Sequence, residues 1–549
     1  MNINSPDRPQ SDSEKILISP MTMEISEIKE IMTNDNDKKL QILLNENPFD
    51  VNAALDQGAY HNLLTLACMM GSVHCVKLLL SCGADINVIP AYSKDGTEFH
   101  SPFCCACTSG SIELLQLLID RGVQLDDSTL FIGFDCIERS ALQPHQRQAI
   151  AAILVQHITN ISHKERGRTF LHRICLIGGV DLAKTVLERG VDRDAMSDSK
   201  YLSDRRNALG VAAANGHLDI VELLLEWNKH DPIKMFWVDV AMVDAAKCDK
   251  LEVVQCLIEF GANDQSVALI ESLRCTCSFE LAEYLLDHGA GVNGIVGGYT
   301  PLLALLSNAR EGDEVKLQIA RLLLKHGADR DATNRSGYDA IILAAKSGSS
   351  ALLQLILEHG QGQPITINRL NEALLLSLGC SIEVTKCLLD HGAEVDTIGS
   401  GGCSPLLLLC SKKCVGHTDN GYFGPYFLTL RLLLERGADT SAVSPVSGDT
   451  ALLCVGAHIS IIGVKFSTML LEHGADVNQG NATTGQTPLM KAALYKRTAL
   501  VELYLEHGAD VMQVNSEGLT VLDLMGDKQE YAKITKLCLE HLNVQPLLK

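Results

Sequence analysis

No stretch of the sequence stays apolar for the roughly 20 residues that a membrane-spanning helix needs; the richest, Pro405 to Cys410, is far shorter. Membrane insertion is therefore not expected, and no secretory leader is recognisable. Basic residues are in deficit, with 46 Lys and Arg against 67 Asp and Glu and a formal charge of -21. Such a balance repels phosphate backbones and argues against nucleic acid as the main partner. The motifs of catalysis are missing too: there is no nucleophile elbow, phosphate-binding loop, dinucleotide glycine pattern or His-Glu-x-x-His. Glycine-rich stretches such as Gly399 to Gly402 fall between helices instead. Neither enzymatic activity nor a cofactor is expected.

What is present is length and repetition. The 549 residues, 46% of them apolar, could bury far more than one domain core, which leaves several domains or one long repeat array. Nineteen cysteines are spread through apolar helical stretches and are expected to be reduced, buried thiols of an intracellular chain, cytoplasmic or nuclear. Cys104, Cys105 and Cys107 with Cys275 and Cys277, or Cys410 and Cys414 with His417, have the chemistry of zinc ligands. Their spacing does not support a zinc site, because it lacks paired Cys-x-x-Cys or Cys-x-x-His elements and most of these cysteines hold helix positions that want small apolar residues. No metal is expected.

A recurring apolar helix ends in His-Gly-Ala-Asp or a variant of it. The terminating residues are Gly83, Gly122, Asn160, Gly190, Asn228, Gly261, Gly289, Gly327, Gly360, Gly392, Gly437, Gly474 and Gly508, a mean spacing of about 35 residues. The segment Gly485 to Asp510 shows the mechanics. Thr487 caps a short helix with Pro488 at its first position. A second helix, Leu500 to Leu505, puts its apolar residues on one face, and Gly508 supplies the left-handed residue that ends it. His507 lies in the last turn, where its ring can satisfy free carbonyls. The histidines at 288, 326, 359, 391 and 473 hold the same place, so they are read as structural.

This pattern resembles the ankyrin repeat, whose consensus runs Gly-x-Thr-Pro-Leu-His, a paired-alanine helix, then Leu-Leu-Leu-x-x-Gly-Ala-Asp-Val-Asn. The resemblance rests on Thr300-Pro301-Leu302 with Lys325 to Asp329, on Ala212 to His217 with Val221 to Leu225, and on Cys82 to Asn87. It implies an all-α solenoid of about 13 to 15 helix-turn-helix repeats with short β-hairpin fingers. The array is expected over residues 21–542, after a disordered arm at 1–20 and before a tail at 543–549; degenerate units near 125–165 and 230–290 allow a division into two arrays. Asn87, Asn293 and Asn478 fit the spacing at which the family's finger asparagines are hydroxylated.

The resemblance also implies a function, the binding of one or more proteins by a monomer acting as scaffold or adaptor. A concave groove is implied at the ends of the first helices, where none of the aligned residue pairs is acidic. Met69, Met70, Leu176, Ile177, Lys346, Lys412, Leu494 and Tyr495 are its candidate contacts. Departures from the repeat add others. They are the insert at 411–425 with Tyr422 and Phe423, and the lengthened fingers at 90–99 and 198–206 with Tyr92, Tyr201, Arg205 and Arg206; a smaller insert occupies 309–314. Steps ending at Gly190 and Gly289 are short, so no finger is expected there. A substrate-recognition subunit of a ubiquitin ligase is one alternative, disfavoured because only Asn543 to Lys549 follow the last helix; a microbial effector that targets host proteins is another, which the sequence leaves open.

Overall fold

The computed structural model describes residues 25–46, 50–53, 62–88, 101–198, 205–228, 235–309, 312–359, 365–411, 424–456, 461–526 and 529–544. Within them thirty α-helices follow one another as fifteen pairs. They fall into two compact units, 1–263 with seven pairs and 264–549 with eight. In each unit a first helix packs on its own second helix and on the first helices of the neighbouring repeats, while the second helices stack in a parallel layer. This is the solenoid arrangement, in which a repeat buries its apolar faces only against its neighbours.

The local chemistry is that of the sequence. Thr487 accepts the Met490 N–H at 3.2 Å and Pro488 occupies the first helical position. Ser101, Thr300, Ser404 and Thr450 cap their helices in the same way. Gly508 sits at φ 84°, a conformation that a side chain would strain. His288, His391, His473 and His507 each bring Nδ1 within 2.8–2.9 Å of the carbonyl four residues back, so that nitrogen carries the proton. Asn160 and Asn228, expected in place of a terminating glycine, do not act as one. Neither takes a positive φ; Asn160 lies three residues past the helix Pro144–His157, and Asn228 is the last residue of Leu218–Asn228.

The fingers are barely β. Among the described residues the pairing reduces to isolated bridges, Glu165 with Arg168, Val296 with Tyr299 and Val443 with Thr450. The finger before the helix Phe170–Ile177 exists despite its short step, closed by two backbone hydrogen bonds of 2.9 and 3.0 Å between Glu165 and Arg168. After Gly261 there is indeed none, since the next helix, Gln265–Cys275, starts within four residues. The helix Asp127–Arg139 likewise starts five residues after Gly122.

Consecutive loops are fastened by short polar side chains. The Oδ1 atoms of Asn52, Asn87, Asn293 and Asn478 accept the backbone N–H of Asp85, Gln124, Asp329 and Asp510, one loop further on, at 2.7–2.8 Å. In the repeats with long first helices a side chain from the first turns of that helix takes over. Asp127, Asp239 and Asn371 accept from Thr159, Asn263 and Glu394, and Ser266 from Gly291. At Asp127 and Ser266, where the described chain runs directly from loop to helix, the helix thus substitutes for a finger by placing a side chain under the same loop. Fingers also join one another through backbone bonds, Asp198 to Arg166, Ala482 to Gly448 and Ser516 to Thr484.

Candidate protein-binding face

A first helix is enclosed on three sides, so few of its residues can meet a ligand. In Leu63–Met70 every residue through Cys68 is buried, Met69 is half-buried and Met70 is 37% exposed. The left-handed Gly71 turns the chain away just afterwards. The same exit leaves Leu494 half-buried and Tyr495 45% exposed. Lys346 is exposed, with its ammonium 4.2 Å from the centre of the Tyr338 ring.

Two expected contacts are corrected. Ile177 is buried, because its helix ends at Gly178 with ψ 166° rather than near 20° as at Gly71 and Gly216, and the chain leaves in another direction. Leu176 beside it is only half-buried. Arg206 is engaged within the fold: its guanidinium pairs with Asp244, which is buried. Arg205 is exposed. Tyr92, Tyr201, Lys412, Tyr422 and Phe423 lie outside the described residues, as do most of the lengthened fingers and the 411–425 insert.

One open apolar feature was not among the expected contacts. Between the helix Ile367–Ser377 and the finger that follows its repeat lies a pocket of about 480 Å³, bordered by Asn368, Glu372, Leu375, Leu376, Ile398 and Leu408. Leu376 is 37% and Ile398 62% exposed. The signal was present in the run Leu374-Leu375-Leu376, since consecutive helical residues point about 100° apart and three cannot share one buried face. Leu374 takes the core and Leu376 is left outside.

A second pocket, of about 400 Å³, is bordered by Glu271, Arg274, Tyr299 and Asn308. Arg274 lies 3.0 Å from Glu271 and 5.5 Å from the centre of the Tyr299 ring. Glu271 and Glu372 therefore place carboxylates on a face expected to carry none. Beside the first pocket, Arg369 reaches Asp331 at 2.5 Å and Asp339 at 3.4 Å. Burial nevertheless raises the Asp339 carboxyl above the usual range, against the opposing pull of the Ile342 N–H and Arg369.

Buried titratable groups elsewhere serve the fold. His172 is held near a pKa of about 4, mainly by burial, and shares its Nδ1 with the Thr169 cap. The described cysteines are all free thiols, most of them buried or half-buried. Among the described residues no three His, Cys, Asp or Glu side chains gather as a metal ion would require, and no helix is long and apolar enough to cross a membrane.

The family models for ankyrin repeats match residues 30–129 and 139–235 in three-copy form, 297–335 as a single repeat, and 470–525 in the many-copy form. The chain is an ankyrin-repeat protein. An ankyrin repeat and KH domain-containing protein of Caenorhabditis briggsae is 25% identical over 59% of this chain and 11% of its own length. A Caenorhabditis elegans protein of the same description, mask-1, is 32% identical over 40% of this chain and 8% of its own. The ankyrin repeat domain-containing protein M-T5 of myxoma virus is 29% identical over 38% of this chain and 35% of its own. The chain thus spans about a tenth of the first two relatives. Ankyrin repeats serve protein interaction in general.

Proposed function

We propose that this chain is a scaffold or adaptor that binds a protein partner through the first-helix ends and fingers, with the Leu375, Leu376 and Ile398 pocket as an anchor point. The supporting observation is that pocket: exposed aliphatic side chains border about 480 Å³ of open space together with the polar Asn368 and Glu372. Apolar anchors surrounded by polar groups are what concentrate binding energy in protein interfaces. Met70 and Tyr495 are secondary contacts in the same reading, an adaptable thioether and an aromatic ring held at first-helix ends. A reducing compartment, cytoplasm or nucleus, suits a chain whose described cysteines are free.

The test is affinity purification with mass spectrometry, comparing the wild type with Leu376→Asp/Ile398→Asp. Loss of a defined set of partners from a variant with unchanged circular dichroism supports the reading. An unchanged partner set in the folded variant overturns the anchor.

A further inference from the structure

The pocket beside Ile398 is apolar at one end and acidic at the other. Along the helix Ile367–Ser377 its open stripe runs from Asn368 through Glu372 to Leu375 and Leu376, while Leu370, Ala373 and Leu374 face the core. Residues one turn apart hold their Cβ atoms about 5–6 Å from each other, so the Glu372 carboxylate and the leucine end are neighbours. The facing wall is the finger at 397–403. It comes close because residue 399 is glycine: a Cβ there would lie 3.1 Å from a Leu375 methyl. Glu372 is exposed and makes no ion pair among the described residues. Arg369 is committed to Asp331 and Asp339, and Asn371 donates to the Glu394 carboxylate. Four carboxylates thus stand on or beside this helix against one guanidinium. Asp339 is held above the usual range even so, by burial first, with Asp331 and Glu372 adding to the rise.

We propose that the pocket takes an extended segment of a protein partner that carries an aliphatic side chain and, two residues away, a lysine or arginine. This rests on the pocket being an anchor point and adds the chemistry of what it anchors. The spacing follows from the geometry of the two chains. An extended segment advances about 3.3 Å per residue with side chains on alternate sides, so residues two apart point the same way about 6.6 Å from each other. That matches one turn of the helix below. The aliphatic side chain enters between Leu375, Leu376 and Ile398, and the cation stands over Glu372. An acid in the cation's place would meet like charge, in a chain whose net charge of -21 offers little to offset it. An exposed pair of this kind selects among partners more than it tightens binding, being worth about fivefold at most.

The test selects phage-displayed random peptides on the full chain and measures the enriched sequences, as labelled synthetic peptides, by fluorescence anisotropy. The enriched peptides should share an aliphatic residue with Lys or Arg two positions away. Replacing that base by glutamate should weaken binding about tenfold, and less at high salt. Glu372→Gln should level the two peptides and Glu372→Lys should reverse their order. Leu376→Asp/Ile398→Asp, with unchanged circular dichroism, should lose both. Peptides that need Leu376 and Ile398 but accept acid and base equally overturn this inference and leave the anchor standing. Peptides that bind the double variant as well as the wild type, or no enrichment at all, overturn both. Self-association of the wild type that the double variant lacks would give the pocket to a second copy of the chain, and likewise overturns the inference.

Discussion

The guanidinium of Arg206 meets the carboxylate of Asp244 edge-on, Nε 2.9 Å from Oδ2 and Nη2 3.1 Å from Oδ1. The pair joins the residues just before one first helix, Ala208–Asn215, to the next, Met235–Lys247. Removing one partner of a buried ion pair strands the other charge. Arg206→Ala should therefore lower stability by about 3 kcal/mol, and Arg206→Lys should recover only part of it because the two-pronged geometry is lost. Urea denaturation read by circular dichroism measures both. Stability unchanged in Arg206→Ala would return this arginine to the list of partner contacts.

His172 should make the first unit sensitive to acid. Its folded pKa is about 4, below the ordinary 6.5, so between these values the unfolded chain binds more protons than the folded one. Its contribution is complete above pH 6.5 and is lost as the pH falls toward 4, by about 3 kcal/mol in all. Depressed carboxylates such as Asp35 and Asp192 act in the same direction, so the difference between wild type and His172→Gln isolates the histidine. Melting temperatures at pH 7 and pH 4.5 should diverge less in the variant.

Two neighbouring leucines should behave oppositely. Leu374 is fully buried and Leu376 is 37% exposed on the same helix. An aspartate at 374 forces an unpaired charge into the core and should cost several kcal/mol, about 4 or more. At 376 the same change should stay within about 0.5 kcal/mol. Thermal melts of the two variants are the check, and equal losses would show that the 376 position is not a free surface.

Asn478 should contribute through its clip. Its amide accepts from the Asp510 N–H at 2.8 Å and donates to the Gly508 carbonyl at 3.2 Å. Asn478→Ala removes both bonds in a solvent-exposed setting and should destabilise the second unit by about 1 kcal/mol. Hydrogen exchange should quicken at the Asp510 amide and not at the buried amides of Ile341 or Ala345. Uniform acceleration would mean that the clip does not act locally.

The repeat was legible because its punctuation is local. Thr487 and Pro488 start a helix, Gly508 ends it, and His507 bonds the carbonyl of Leu503, all by rules that need only a few neighbouring residues. Arg206 was misread because its partner lies 38 residues away in sequence and only packing brings Asp244 to it. Ile177 followed the period but not the exit, since a glycine's ψ is not written in the glycine. The fastening of a loop from a first helix was hidden for a similar reason: Asp127, Asp239 and Asn371 look like ordinary polar helix residues until the loop above them is in place.

These polar fastenings reach about one repeat ahead, from Asn52 to Asp85 and from Asn293 to Asp329. A duplication or deletion of one whole hairpin within such a run leaves every remaining acceptor with a donor, whereas a change of half a hairpin strands an amide and shifts the apolar faces out of step. The gene can therefore lengthen or shorten in steps of one hairpin with little loss of stability, and selection would remove the intermediate lengths.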